Sequence, residues 1–342
     1  MMSAGSGVPL ISSGMPYRNT ISPEQFATGF VALLFALAVL LMPWESFGGN
    51  HYADFRVYLE MFQPGSISQW EMYAPESLVE FFTREIAWDE FVRFLVRIIG
   101  DPFWALKAIS AFILWVNAYL LYRRYGFLLP TLLLLNPLFL TFALSQLRLA
   151  FAIAILFVAL NIRVRAVSWG LVLTTLFVHS AVPIFIGLFL VVKYVERYGK
   201  DWPFHRLLIV TGGCCVGLIL ILGFGREALL LALNDRRAVV YAGSYGSSSI
   251  MYVAFWIGVL VMQVTAGRDY LTRPDNLYAA MSLVLFIGLT MVGTYSSRFA
   301  AAAFPLIVAS ILNLPSENRN IVLPMLLCYQ AVLYLYWFAL VY

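Results

Sequence analysis

Charge is scarce in this chain: 12% of its 342 residues are Asp, Glu, Lys or Arg, against 62% that are hydrophobic. Cysteine is scarcer still. Cys214, Cys215 and Cys328 all fall inside apolar segments, with no CxxC or His-Cys spacing. That argues against a disulfide framework and a zinc site, and reads the thiols as buried and structural. No HExxH and no DxD-like pair of loop carboxylates is present, so no motif asks for a metal or another cofactor. The N-terminal stretch lacks the compact basic, apolar and small-residue pattern of a cleaved signal peptide. Residues 1–25, rich in Gly, Ser and Pro with Arg18 as their one fixed positive charge, are expected to form a flexible cytoplasmic tail. No self-similarity relates the two halves, which weighs against a transporter built from repeats. The net charge of +4 gives little support to nucleic-acid binding and is better read through its distribution along the loops.

What the chain has is long apolar runs. Stretches of about 15–22 apolar residues recur along it, the longer of them enough for helices that cross a hydrocarbon core of about 30 Å, and the mean hydropathy is +0.84. Helices satisfy their own backbone hydrogen bonds in lipid, so the fold class is an all-α polytopic membrane protein. The spans are expected near Phe26–Met42, Pro102–Tyr122, Phe127–Phe142, Ser145–Ile162, Leu207–Phe224, Ile250–Ala266, Leu277–Gly293, Phe299–Leu314 and Ile321–Val341. Residues 26–342 then form a single membrane domain with extracytoplasmic loops at 45–101 and 224–249. The first loop holds ten of the chain's eighteen acidic residues. Within it, Glu80–Ile99 carries apolar residues at helical spacing and reads as one amphipathic helix on the membrane or on the protein.

Arg148 is the residue the apolar pattern cannot absorb. The run Leu149–Ile162 is about 21 Å of helix, too short to cross, so a spanning helix must extend back through Arg148. A charge there costs roughly 2.5–3.5 kcal/mol or more, and such residues face a protein interior or a wet cavity. Next comes the apolar stretch Val167–Val192, interrupted by His179, Ser180 and Pro183. It is either one long kinked span or a hairpin of two short helices with His179 at the bend. Arg163 and Arg165 precede it and Lys193, Arg197, Lys200 and Arg206 follow it, and positive flanks favour the cytoplasm. Both flanks are inside only in the hairpin. That choice also puts Arg268, Arg273 and Arg319 inside, and Arg226, Arg236, Arg237 and Arg298 outside. It gives about eleven crossings, some short or re-entrant, with the N-terminus inside and the C-terminus outside.

Arg148, His179 and Arg298 then share the extracytoplasmic side with the acidic first loop and with Arg226, Arg236, Arg237, Tyr241 and Tyr245. A membrane-depth cavity lined by Arg, His and carboxylates suits a ligand with a lipid tail and a phosphorylated head, because guanidinium forks bind phosphate bidentately. The bland readings are an Arg148–carboxylate ion pair, a bend-capping His179, an interfacial Arg298 and a solvated charged loop.

The order of motifs resembles the EpsG-like/Wzy family of O-antigen and exopolysaccharide polymerases. Asp54 and Tyr58 stand in His-Tyr-Ala-Asp-Phe-Arg-Val-Tyr; Glu85-Ile-Ala-Trp88 stands where the family has Glu-Pro-Gly-aromatic. Arg148-Leu-Ala150, Phe177-Val-His179-Ser-Ala181 and Ser297-Arg298-Phe299 complete the set, over roughly Asn50–Leu312. The resemblance implies a GT-C-like membrane glycosyltransferase of O-antigen or lipopolysaccharide biosynthesis in the bacterial inner membrane. It would transfer a glycan chain from undecaprenyl diphosphate onto a second lipid-linked repeat unit, outside the cytoplasmic membrane. Arg148 and Arg298 would hold the diphosphate in place of a metal. His179, Asp54 and Glu85 would be the catalytic residues, with Arg226, Arg236, Arg237, Tyr241 and Tyr245 as further glycan or phosphate contacts. The partners implied are the lipid-linked donor and acceptor, the bilayer and a chain-length regulator. A flippase for a lipid-linked oligosaccharide, an O-antigen ligase or an O-acyltransferase remain open as alternatives from the residues alone.

Overall fold

The structure is a computed structural model and describes residues 23–44, 52–67, 78–126, 128–225, 228, 250–293 and 296–339. Most of the N-terminal tail, parts of the first loop, and Arg226, Arg236, Arg237, Tyr241 and Tyr245 lie outside the described residues. All regular structure among the described residues is helical. In chain order the helices are α1 (Pro23–Leu41), α2 (Ala53–Met61), α3 (Leu78–Thr83), α4 (Ile86–Ile99), α5 (Pro102–Tyr125), α6 (Leu129–Leu132), α7 (Pro137–Leu144), α8 (Leu147–Asn161) and α9 (Arg165–Val178). They continue with α10 (Val182–Tyr198), α11 (Phe204–Gly223), α12 (Ile250–Thr265), α13 (Arg268–Leu271), α14 (Pro274–Met291), α15 (Ser297–Ala302), α16 (Phe304–Leu312) and α17 (Ser316–Ala339).

Helices α1, α5, α11, α14 and α17 are each long and apolar enough to cross a membrane, and α7 with α8 makes a sixth if that pair, bent by 98°, counts as one span. Their faces sort by solvent. α16 is buried along nearly its whole length, whereas α1 exposes Phe26, Phe30, Leu33, Leu34 and Leu37 as one apolar stripe. α11 and α17 do the same through Ile209, Val216, Leu220 and Ile221, and through Ile321, Met325, Val332 and Leu335. Contiguous apolar surface on this scale marks a membrane protein. Cys328 lies exposed on α17, which corrects its reading as a buried thiol. Lipid tails solvate apolar side chains as well as a protein core does, so an apolar segment need not be buried in protein.

Three expected elements are broken. The third span is not continuous: α6, a tight turn at Leu133–Leu135 and α7 succeed one another. Asn136 is extended and caps α7, its side chain accepting from the Leu138 N–H at 3.0 Å, with Pro137 behind it. A residue before proline disfavours the helical region, so the helix must restart there. The last-but-one span breaks between α15 and α16 at Ala303, two residues before Pro305. The amphipathic helix breaks at Arg84–Glu85, where Glu85 takes φ +54°, the one positive φ at a non-glycine among the described residues. The apolar stretch around His179 also divides, one helix ending at Val178 and the next starting at Val182. The latter packs on α14.

The helices place polar groups at two ends of the bundle. α8 and α9 pack together across the short link 162–164, so the start of α8 and the end of α9 lie at the same end. At the other end Arg124 pairs with Asp275, and Asn313 donates to Asn276 at 2.9 Å. Tyr270 donates there to the Ser310 carbonyl at 2.7 Å.

Candidate active site

Arg148, His179, Arg298 and Asp54 converge on one cavity of about 110 Å³, which is also lined by Val57, Tyr58, Gln146 and Leu149. Each arrives from a point where a helix starts or stops. Asp54 is in the first turn of α2, and Tyr58 follows four residues later on the same face. Gln146 and Arg148 sit at the sharp bend between α7 and α8. His179 ends α9, and Arg298 is the second residue of α15. Sequences reading as separate apolar runs thus meet at their ends, where polar side chains are tolerated.

Glu85 sits behind this wall. It is 3% exposed. Its Oε2 accepts from Arg148 Nη1 at 2.6 Å. Its Oε1 accepts from the Ser180 N–H at 3.1 Å and the Ser180 hydroxyl at 3.0 Å. One carboxylate therefore ties the first loop, the head of α8 and the break between α9 and α10. The left-handed backbone at Glu85 costs about 1–2 kcal/mol for a residue with a Cβ. It survives because the next turn is anchored: Trp88, 1% exposed, packs on Tyr58 and Phe151 at ring distances of 5.9 and 6.1 Å. Further along α4, Arg93 pairs with Asp89 at 3.0 Å and reaches the carbonyls of Ser66 and Ile67.

Arg148 is held from two sides. Besides Glu85, its Nε donates to the Tyr58 hydroxyl at 2.9 Å. Burial pushes the Tyr58 phenol above its ordinary value, with Arg148 pulling the other way, so it remains a neutral phenol. A guanidinium has five N–H donors. Nη2 of Arg148 has no partner among the described residues, and the side chain keeps 29% exposure at the cavity. A buried carboxylate and a phenol thus orient a planar fork at the cavity wall, its Nη2 without a partner among the described residues. Beyond the cavity wall, Phe299 stacks on Phe185 at 5.3 Å, seating the start of α15 on α10.

Four of the five described site residues expected from the sequence line the cavity, and Glu85 supports them without lining it. Sequence reasoning missed Gln146 and Ser180, and gave Tyr58 no role. Tyr58 was open to discovery through its spacing from Asp54; Ser180 only through its adjacency to His179. Gln146, uncharged and at a bend, carried no such signal. Among the described residues, no three His, Cys, Asp or Glu side chains gather as a metal site would require. Searches against protein-family models, curated proteins and solved structures return no match.

Proposed function

We propose that this protein is a GT-C-like membrane glycosyltransferase that polymerises a lipid-linked glycan, with about eleven crossings and its cavity on the extracytoplasmic side of a bacterial cytoplasmic membrane. The donor is a glycan on undecaprenyl diphosphate, and the acceptor a second lipid-linked repeat unit. The acceptor hydroxyl oxygen attacks the anomeric carbon of the donor. The bond from that carbon to the phosphate oxygen breaks, its electron pair leaves with undecaprenyl diphosphate, and the hydroxyl proton passes to a base in the cavity. Charge builds on the departing diphosphate, and fixed cations aimed at it lower the barrier.

One observation carries this reading. Arg148 enters the cavity as a guanidinium fixed by Glu85 and Tyr58 with one edge unspent, and Arg298 lines the same cavity. A fork of that kind matches phosphate oxygens and keeps its charge at membrane depth. Asp54 and His179 supply the titratable groups beside it.

The test is the product of the purified protein, reconstituted in nanodiscs with its native lipid-linked repeat unit. A ladder of lengthening chains with release of undecaprenyl diphosphate supports polymerisation. Unlengthened substrate, with the lipid merely crossing the bilayer of a proteoliposome, overturns it in favour of a flippase.

A further inference from the structure

The base in that reaction is either His179 or Asp54, and the geometry at His179 bears on the choice. The Ala181 N–H donates to His179 Nδ1 at 3.0 Å. Glu85 Oε1 lies 3.3 Å from the same nitrogen. In a neutral ring Nδ1 is either a donor or an acceptor, so it cannot bond both groups. Were Nδ1 protonated, it would face the Ala181 amide donor to donor. Oε1 already receives two bonds from Ser180, and Oε2 receives one from Arg148. The carboxylate is supplied with donors, and the amide needs an acceptor. The bond spans only two residues within the helix break, so the chain itself fixes it.

We infer that His179 is held as the Nε2–H tautomer, donates a hydrogen bond to a phosphoryl oxygen of the donor, and leaves Asp54 to take the acceptor's proton. This inference rests on the glycosyltransferase reading. In that tautomer Nε2 already carries a proton and the Nδ1 lone pair is engaged by the Ala181 N–H, so neither nitrogen is open to the acceptor's proton. Asp54 is the carboxylate on the cavity wall, in the first turn of α2. The proton lost by the acceptor hydroxyl goes to its carboxylate as the new glycosidic bond forms, and the leaving diphosphate oxygen is met by Arg148, Arg298 and the His179 N–H.

The protein has three histidines, so nitrogen-15 labelling of histidine gives three pairs of ring signals in nanodiscs, and His179→Gln identifies the relevant pair. The inference expects the protonated nitrogen of His179 to couple to both ring carbon protons, as Nε2 does. Coupling to Hε1 alone places the proton on Nδ1 and overturns it. Activity supplies the second arm. Gln puts an amide N–H where Nε2–H stands, so His179→Gln should retain activity within about tenfold of wild type, while His179→Ala loses on the order of 10². Asp54→Asn should lose about 10²–10⁴, as removal of a general base does. An inactive His179→Gln beside an active Asp54→Asn overturns the assignment. If the wild-type protein lengthens nothing, the glycosyltransferase reading fails, and the nitrogen spectrum still decides the tautomer.

Discussion

Replacing Glu85 with alanine removes the acceptor on which three parts of the chain converge. Breaking a buried ion pair by deleting one partner costs about 3–5 kcal/mol. Arg148 keeps 29% side-chain exposure and a second bond to Tyr58, so the loss should fall at or just below the bottom of that range, about 2–3 kcal/mol. The orphaned Ser180 amide adds about 1 kcal/mol, giving about 3–4 kcal/mol in all. Glycine deletes the same carboxylate but relieves the left-handed backbone by about 1 kcal/mol. Glutamine keeps an acceptor for Ser180 and loses only the charge-assisted part of the Arg148 bond, about 1–2 kcal/mol. Thermal unfolding of the purified protein in one detergent should therefore rank wild type above Glu85→Gln, then Glu85→Gly, then Glu85→Ala. A double-mutant cycle of Glu85→Ala with Arg148→Met should show a coupling of about 2 kcal/mol. Additive effects, or an alanine variant as stable as wild type, would refute the convergence on Glu85.

Three other outcomes follow from the same geometry. Arg148→Ala should insert normally, because removing a charge at membrane depth favours insertion, yet lose on the order of 10²–10³ in turnover; Arg148→Lys should recover only part through loss of the planar fork. Near wild-type chain lengthening by Arg148→Ala would sink the diphosphate assignment. At the far end of the bundle, Asp275→Asn should cost about 3 kcal/mol of stability, because Arg124 and Asp275 are 7% and 1% exposed, while the apparent KM for the lipid-linked substrate stays unchanged; a shifted KM would show that the two ends are coupled. Topology is checked by single cysteines after the three native ones are removed: Arg56→Cys should react with an impermeant reagent in intact cells, and Asp269→Cys and Ser316→Cys should not. Labelling of Asp269→Cys from outside would remove the shared extracytoplasmic cavity.

Composition and pattern were enough to determine the class of this protein and its most telling residue. Long apolar runs leave a chain only helices in lipid, and Arg148 interrupts a run too short to cross without it; both are local facts, independent of what packs where. His179 between two apolar stretches and Arg298 at a helix start were legible for the same reason. Tertiary structure decided the rest. The 98° bend that brings Gln146 and Arg148 to the cavity lies inside sequence apolar enough to pass as two ordinary spans, since hydropathy counts residues and is blind to direction. Glu85 looked like one more charge on an amphipathic helix. Its inward turn exists because Trp88 is locked against Tyr58 and Phe151, partners 30 and 63 residues away in the chain, and that packing holds a backbone conformation glutamate would not choose alone. Which carboxylate lines the cavity and which supports Arg148 was likewise beyond local pattern, because burial and hydrogen-bond partners are properties of the assembled bundle.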